Sequence, residues 1–267
     1  MNIVGDDLQV ARRAALAGAA VGMRWFADLA RLRQEMKPDG TVVTEADRAV
    51  EAEIRTVLSA ERPDDAVLGE EGGQSGDAGR RWIVDPIDGT ALFVAGDDRW
   101  LVLVALEDEG EIVAGVAVIP AQRRVFWAER DGGAWEAPLD DLGSARRLAV
   151  GAAAPEISVS VGAAEPAAPD VRLSVVPLPS VAEVDVLLAA IPGRPWRLHP
   201  PLLVARGDLD VAVQSSGYIW DFAATSLIVR EAGGYYRTRA GDTRPGRGLS
   251  IFARNPELAA EAATHLA

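Results

Sequence analysis

The chain has 267 residues, no cysteine and a formal net charge of −13, with 49% hydrophobic and 25% charged residues. That length and apolar share suit an ordinary globular protein with a sizeable core. The missing cysteines exclude disulfides, thiolate nucleophiles and Cys-type zinc sites, and the acidic balance argues against a nucleic-acid face or an acidic membrane partner.

Residues 6–34 predict a long amphipathic helix, with Leu8, Ala11, Ala15, Leu16, Ala19 and Met23 at helical spacing. Pro38 and Gly40 interrupt it. Thr44 opens a second helix as N-cap, with Asp47 at the capping-box position and Pro63 after its end. "AVLGEEGG" and "RWIVD" read as short strands that end in acids. Residues 100–120 read as two strands around a turn at Gly110. "RRVFWAERDGGAWEA" reads as a hairpin turning at Asp131-Gly132-Gly133. The middle of the chain is therefore an antiparallel meander.

Near residue 140 the composition shifts, and "LDDLGSARRL" reads as a connector. Short strands follow between Ala/Pro-rich loops, with helices expected at 180–191 and 200–206 and a strand at 209–213. "WDFAATSLIVREAGG" predicts a helix closed by Gly233 and Gly234. "LSIFA" predicts a strand, and Asn255-Pro256 opens a last helix as N-cap and first residue. We expect two α/β subdomains, 1–145 and 146–267.

Only two histidines occur, His199 and His265. A His-rich zinc site or a Ser-His-Asp triad would rest on His199 alone. Metal ligands would instead be carboxylates and carbonyls, which suit magnesium, calcium or manganese. No apolar run reaches the ~20 residues of a membrane span. The N-terminus, interrupted by Asp6, Asp7, Arg12 and Arg13, lacks the form of a signal peptide. The expected location is the cytoplasm.

Four acidic segments stand out: "TEAD" with Asp47, "GEE" with Glu70 and Glu71, "DPIDGT" with Asp85 and Asp88, and "WD" with Asp221. Each alone reads as a solvated turn or a helix cap. Asp85 and Asp88, however, share a tight turn at the end of an apolar strand. Like charges there repel, more strongly when desolvated, so the turn is open to water or a cation belongs in it. Glu70, Asp85 and Asp88 fall at strand ends, where open α/β sheets bind ligands.

Taken in order, with "EAGG" closing the helix after "WD", these segments resemble the inositol monophosphatase family of magnesium-dependent, lithium-sensitive phosphatases over nearly the whole chain. The resemblance implies an α/β/α/β/α layered sandwich, usually a homodimer, acting on a small phosphorylated substrate. It implies that Glu70, Asp85 and the Ile87 carbonyl bind one magnesium, that Asp85, Asp88 and Asp221 bind a second, and that Glu70 helps with a third. Asp47 and Thr90 would orient the attacking water, and the main-chain N–H groups of Gly89 and Thr90 would hold phosphate. Lys37, the sole lysine, sits on a loop that is a mobile flap in the family and could reach the substrate phosphate. Trp82, Trp100 and Trp127 read as core, and Trp220 as packing that positions Asp221.

The resemblance thins in the specificity regions. "ALF" follows "DPIDGT", so Ala91 and Leu92 replace the usual polar residues. Gln214, seven positions before Asp221, stands where many inositol and histidinol phosphatases place a substrate-contacting glutamate. The usual "GSAAL" stretch gives way to "PWRLHPPLLVARGDLD", which brings Trp196, Arg197 and His199. An uncharged Gln214, with Arg197 and His199 on the rim, implies a neutral or anionic phosphorylated polyol, sugar or nucleoside. "KPDGTVVTEADRAVE" is closer to histidinol-phosphate phosphatases, the alternative substrate. The alternative of another class is a non-catalytic metal-binding relic, which would not need the pair Asp47 and Thr90.

Overall fold

A computed structural model describes residues 3–36, 42–77, 79–151, 173–176, 196–214 and 216–264. Helix α1 (Ile3–Phe26) leads into a short hairpin of β1 (Gln34–Met36) and β2 (Val42–Thr44), then α2 (Glu45–Glu61). The first helix is shorter than its pattern predicts. Leu29 and Leu32 keep helical spacing, but they pack on the core from a 3-10 turn and an extended residue.

The meander supplies most of a large sheet: β3 (Ala66–Gly69), β4 (Gly73–Ser75), β5 (Arg80–Asp88), β6 (Leu101–Asp108), β7 (Glu111–Ile119), β8 (Arg124–Glu129), β9 (Gly133–Pro138) and β10 (Arg146–Arg147). Their order is β10-β9-β8-β7-β6-β5-β3-β4. Neighbours are antiparallel except β3 and β5, which run parallel. Period-two alternation decides which side chains go where. On β6, Val102, Val104 and Leu106 pack under α1 and α2, while Leu101, Leu103 and Ala105 face the other way.

On that second face lie α4 (Pro200–Arg206) and α5 (Ile219–Glu231), the short α3 (Thr90–Val94) following β5. Phe222, Leu227 and Ile228 of α5 are fully buried there, each stabilising by roughly 1.5–3 kcal/mol. The close crossing needs Gly115, because a Cβ on it would meet Ala224 Cα at 3.0 Å. Beyond these helices lies a four-stranded sheet of β11 (Leu173–Val176), β12 (Val211–Gln214), β14 (Ser250–Ala253) and β13 (Tyr235–Thr238), in that order. Its outer face carries α6 (Pro256–Thr264). The layers therefore run helix, sheet, helix, sheet, helix, as expected. Strands β1, β2, β4, β10 and β13 were not foreseen. The helix expected at 180–191, the loop with Lys37, and His265 lie outside the described residues.

Candidate metal-dependent active site

The site begins with a cap. The Thr44 hydroxyl accepts from Ala46 N–H (3.1 Å), while Thr44 N–H and O–H both donate to Asp47 Oδ2 (2.8 and 2.5 Å). That capping box satisfies free donors at the start of α2 and fixes the Asp47 carboxylate, which is fully buried. Its other oxygen accepts from the Thr90 hydroxyl at 3.2 Å. Burial raises the Asp47 pKa against the opposing bonds from Thr44.

Parallel pairing of β3 with β5 brings the "GEE" turn beside "DPIDGT". Glu70 N–H donates to the Val84 carbonyl at 3.1 Å. The turn is shaped by Glu51, a buried side chain that sequence reasoning missed. Its carboxylate accepts from Glu71 N–H (2.8 Å), Gly72 N–H (2.9 Å) and Arg55 Nε (2.7 Å). Gly69 leaves it room, since a Cβ there would sit 2.4 Å from the carboxylate. The available signal was spacing: Glu51 is one turn after Asp47, beside Val50 on the buried face of α2.

Asp85 shares the strand face of Ile83, which points toward α5. The register of β5 against β6 then slips between Asp85 and Asp88. Such a bulge re-aims side chains and delivers both acids to one place. Asp221 meets them from the first turn of α5, its Oδ2 held by Tyr218 N–H at 2.6 Å. Carboxylate oxygens of Asp85, Asp88 and Asp221 all lie within 4.8 Å of one another. Burial, then the charges of Glu70, Asp88 and Asp221, push the Asp85 pKa well up. Burial and Asp88 push Asp221 up to about 8. Among the described residues, no arginine pairs with Asp85, Asp88 or Asp221. Asp85 Oδ1 and Asp88 Oδ2 are buried without a hydrogen bond. A carboxylate so placed is resolved by a proton or a cation. The donor set, hard oxygens with lone pairs unused, fits a metal ion.

The profile of the inositol monophosphatase family matches residues 6–165 and 201–267. The chain belongs to that family. A histidinol-phosphatase of Mycobacterium tuberculosis is 39% identical over 88% of each chain, and an inositol-1-monophosphatase of Rhizobium meliloti is 34% identical over 88% of this chain and 86% of its own. The crystal structure of the extragenic suppressor protein suhB from Bartonella henselae superposes with a TM-score of 0.80, at 29% identity over 98% of both chains. This member of the inositol monophosphatase family is a phosphoric monoester hydrolase.

Within that frame, Glu70, Asp85, Asp88, Asp221, Asp47 and Thr90 come together as one electrostatically linked group. The Ile87 carbonyl lies 3.1 Å from the Thr90 hydroxyl. Gly89, in the left-handed region at φ 84°, heads α3. Gln214 is buried at the end of β12 with Oε1 unpartnered. Trp82 and Trp100 are fully buried and Trp127 nearly so. Trp220 stacks on Tyr218 with centroids 4.7 Å apart. Arg197 is exposed, and its carbonyl accepts from the Gln122 amide at 2.9 Å. His199 departs from expectation. It does not sit on a rim beside Arg197 but is 3% exposed, with Nε2 3.3 Å from Asp88 Oδ2. No described helix is long and apolar enough to cross a membrane.

Proposed function

We propose that the chain is a magnesium-dependent phosphatase acting on a small phosphorylated polyol, sugar or nucleoside. The observation that carries this reading is the group of three carboxylates, Asp85, Asp88 and Asp221, whose oxygens lie within 4.8 Å of one another. Magnesium prefers such oxygen donors and keeps waters of its own. Glu70, Asp85, the Ile87 carbonyl, Asp88 and Asp221 would hold it, residues 1–145 supplying all but Asp221. When bound, the metal supplies a water of lowered pKa and charge neutralisation for the phosphate.

The chain's own residues do the rest. Asp47, pinned by Thr44, accepts the Thr90 hydroxyl hydrogen, so that a Thr90 lone pair can accept a hydrogen bond from the attacking water and orient it, with the water's proton passing through Thr90 to the Asp47 carboxylate. The N–H groups of Gly89 and Thr90 would take phosphate oxygens, with Gly89 permitting close backbone approach. Lys37 would contribute from the flap. The family resemblance also supports a cytoplasmic homodimer.

Gln214 carries no charge and both donates and accepts, which favours a neutral or anionic leaving group, with Arg197 as an outer contact for a further anionic group. A second reading, histidinol phosphate, is favoured by the 39% identity to a histidinol-phosphatase. The deciding experiment is kcat/KM for histidinol phosphate, inositol 1-phosphate, a sugar phosphate and a nucleoside monophosphate, in wild type and Gln214→Glu. The first reading expects histidinol phosphate to be poor with wild type and improved by glutamate. Histidinol phosphate as the best wild-type substrate would establish the second.

A further inference from the structure

His199 lies in the stretch where the sequence departs from its family, "PWRLHPPLL". Its Nε2 stands 3.3 Å from Asp88 Oδ2. The imidazole is nevertheless absent from the group of donors gathered within 4.8 Å, which comprises Asp85, Asp88 and Asp221. It therefore stands against Asp88 from outside the cage. Its Nδ1 has no hydrogen-bond partner, nor has Asp88 Oδ2. At 3.3 Å the pair is within hydrogen-bond reach, although the two groups as placed make no hydrogen bond. None of the polar atoms of this buried ring is used to hold the fold together.

The ring is firmly mounted. Pro200 and Pro201 occupy the first positions of α4, which restricts the preceding backbone to extended conformations. The His199 carbonyl accepts from Leu202 and Leu203 N–H at 2.9 and 3.2 Å. Trp196 meets the imidazole edge-on at 6.2 Å. The Arg99 guanidinium covers Trp196 at 4.3 Å and donates to its carbonyl at 2.9 Å.

We propose that His199 is a positioning residue that holds Asp88 in its ligating orientation from outside the carboxylate cage. The proposal rests on the reading of that cage as a metal site. With Nε2–H given to Oδ2, the remaining lone pairs of Asp88 point inward, the usual role of a hydrogen bond behind a metal ligand.

The test is Mn2+ binding to the purified protein, with free Mn2+ counted by electron paramagnetic resonance. His199→Leu keeps volume and removes the donor, while His199→Gln keeps a donor near the Nε2 position. We expect His199→Leu to lose affinity by about 10–100-fold, with near-UV circular dichroism and the thermal midpoint in chelator little changed. His199→Gln should recover most of it. Should His199→Leu not fold, His199→Asn, polar but too short to reach Asp88, takes its place with the same expectation. Wild-type affinity in the donor-free variant would overturn the proposal, as would equal losses in His199→Gln and His199→Leu. A wild type that binds no Mn2+ would overturn the metal-site reading and this proposal together.

Discussion

Strand β5 carries charge at both ends, and the two ends are built differently. At its start, Arg80 reaches Asp7 (2.8 Å), Asp108 (3.0 Å) and Asp65 (3.4 Å), and Arg62 adds a second bond to Asp7 at 2.8 Å. Arg81 and Arg244 close on Glu107 in the same way. Every acid there has a cation supplied by the chain. At the other end, Asp85 and Asp88 meet Asp221 and the charge of Glu70, and among the described residues no arginine pairs with Asp85, Asp88 or Asp221. The chain is rich in arginine, with 26 against one lysine, so this absence is local. One end uses its ions to hold α1 against the sheet, and the other gathers acids that could bind an external cation.

Substitutions should separate the two ends. Asp88→Asn removes a ligand charge and should lower kcat on the order of 10³-fold or more, while the metal-free protein keeps or gains thermal stability because one buried repulsion is gone. Loss of fold in chelator, with activity retained, would contradict this. Asp47→Asn keeps a cap and an acceptor and should reduce turnover by about 10²–10⁴-fold with metal binding preserved. Near-wild-type turnover would make Asp47 a cap and nothing more. Arg80→Gln, at the opposite end, should cost about 1.5–3 kcal/mol in denaturant unfolding, the range for bonds to charged groups, with kcat/KM close to wild type.

The smallest expected effect is in pH. The Asp221 carboxyl, held up at about 8 by burial and Asp88, binds its proton in the folded state over a range where the unfolded chain, at about 4, has released it. The folded state then carries more protons, so stability of the metal-free protein falls as pH rises from about 4 toward 8. A bound cation replaces the proton. The gain in thermal midpoint on adding magnesium should therefore be larger at pH 8 than at pH 5. An equal gain at both would show that protons and metal do not compete there.

The comparison also explains what could be read from the sequence. Thr44 with Asp47, and Gly89 before Thr90, are local signals, because the partner lies within one turn of chain. The apolar runs of β6 and β7, buried on both faces, made the strands legible, while the layered order came from the family resemblance. The acids were legible because four short motifs come in order. Glu51 was not, because the N–H groups it accepts lie some twenty residues away, on the far side of a strand. His199 was not, because its neighbour Asp88 is set by how α4 packs and not by anything near it in sequence. The end of α1 was misplaced for a similar reason. Leu29 and Leu32 satisfy a helical pattern, while their burial against the core is met by a tighter turn.

The claim that the far end of β5 waits for an external cation is tested most directly by phosphate release in chelator and after magnesium is returned. Release should fall to background in excess chelator, with circular dichroism showing the fold intact, and should recover when magnesium is added back. Full turnover in excess chelator would contradict the account.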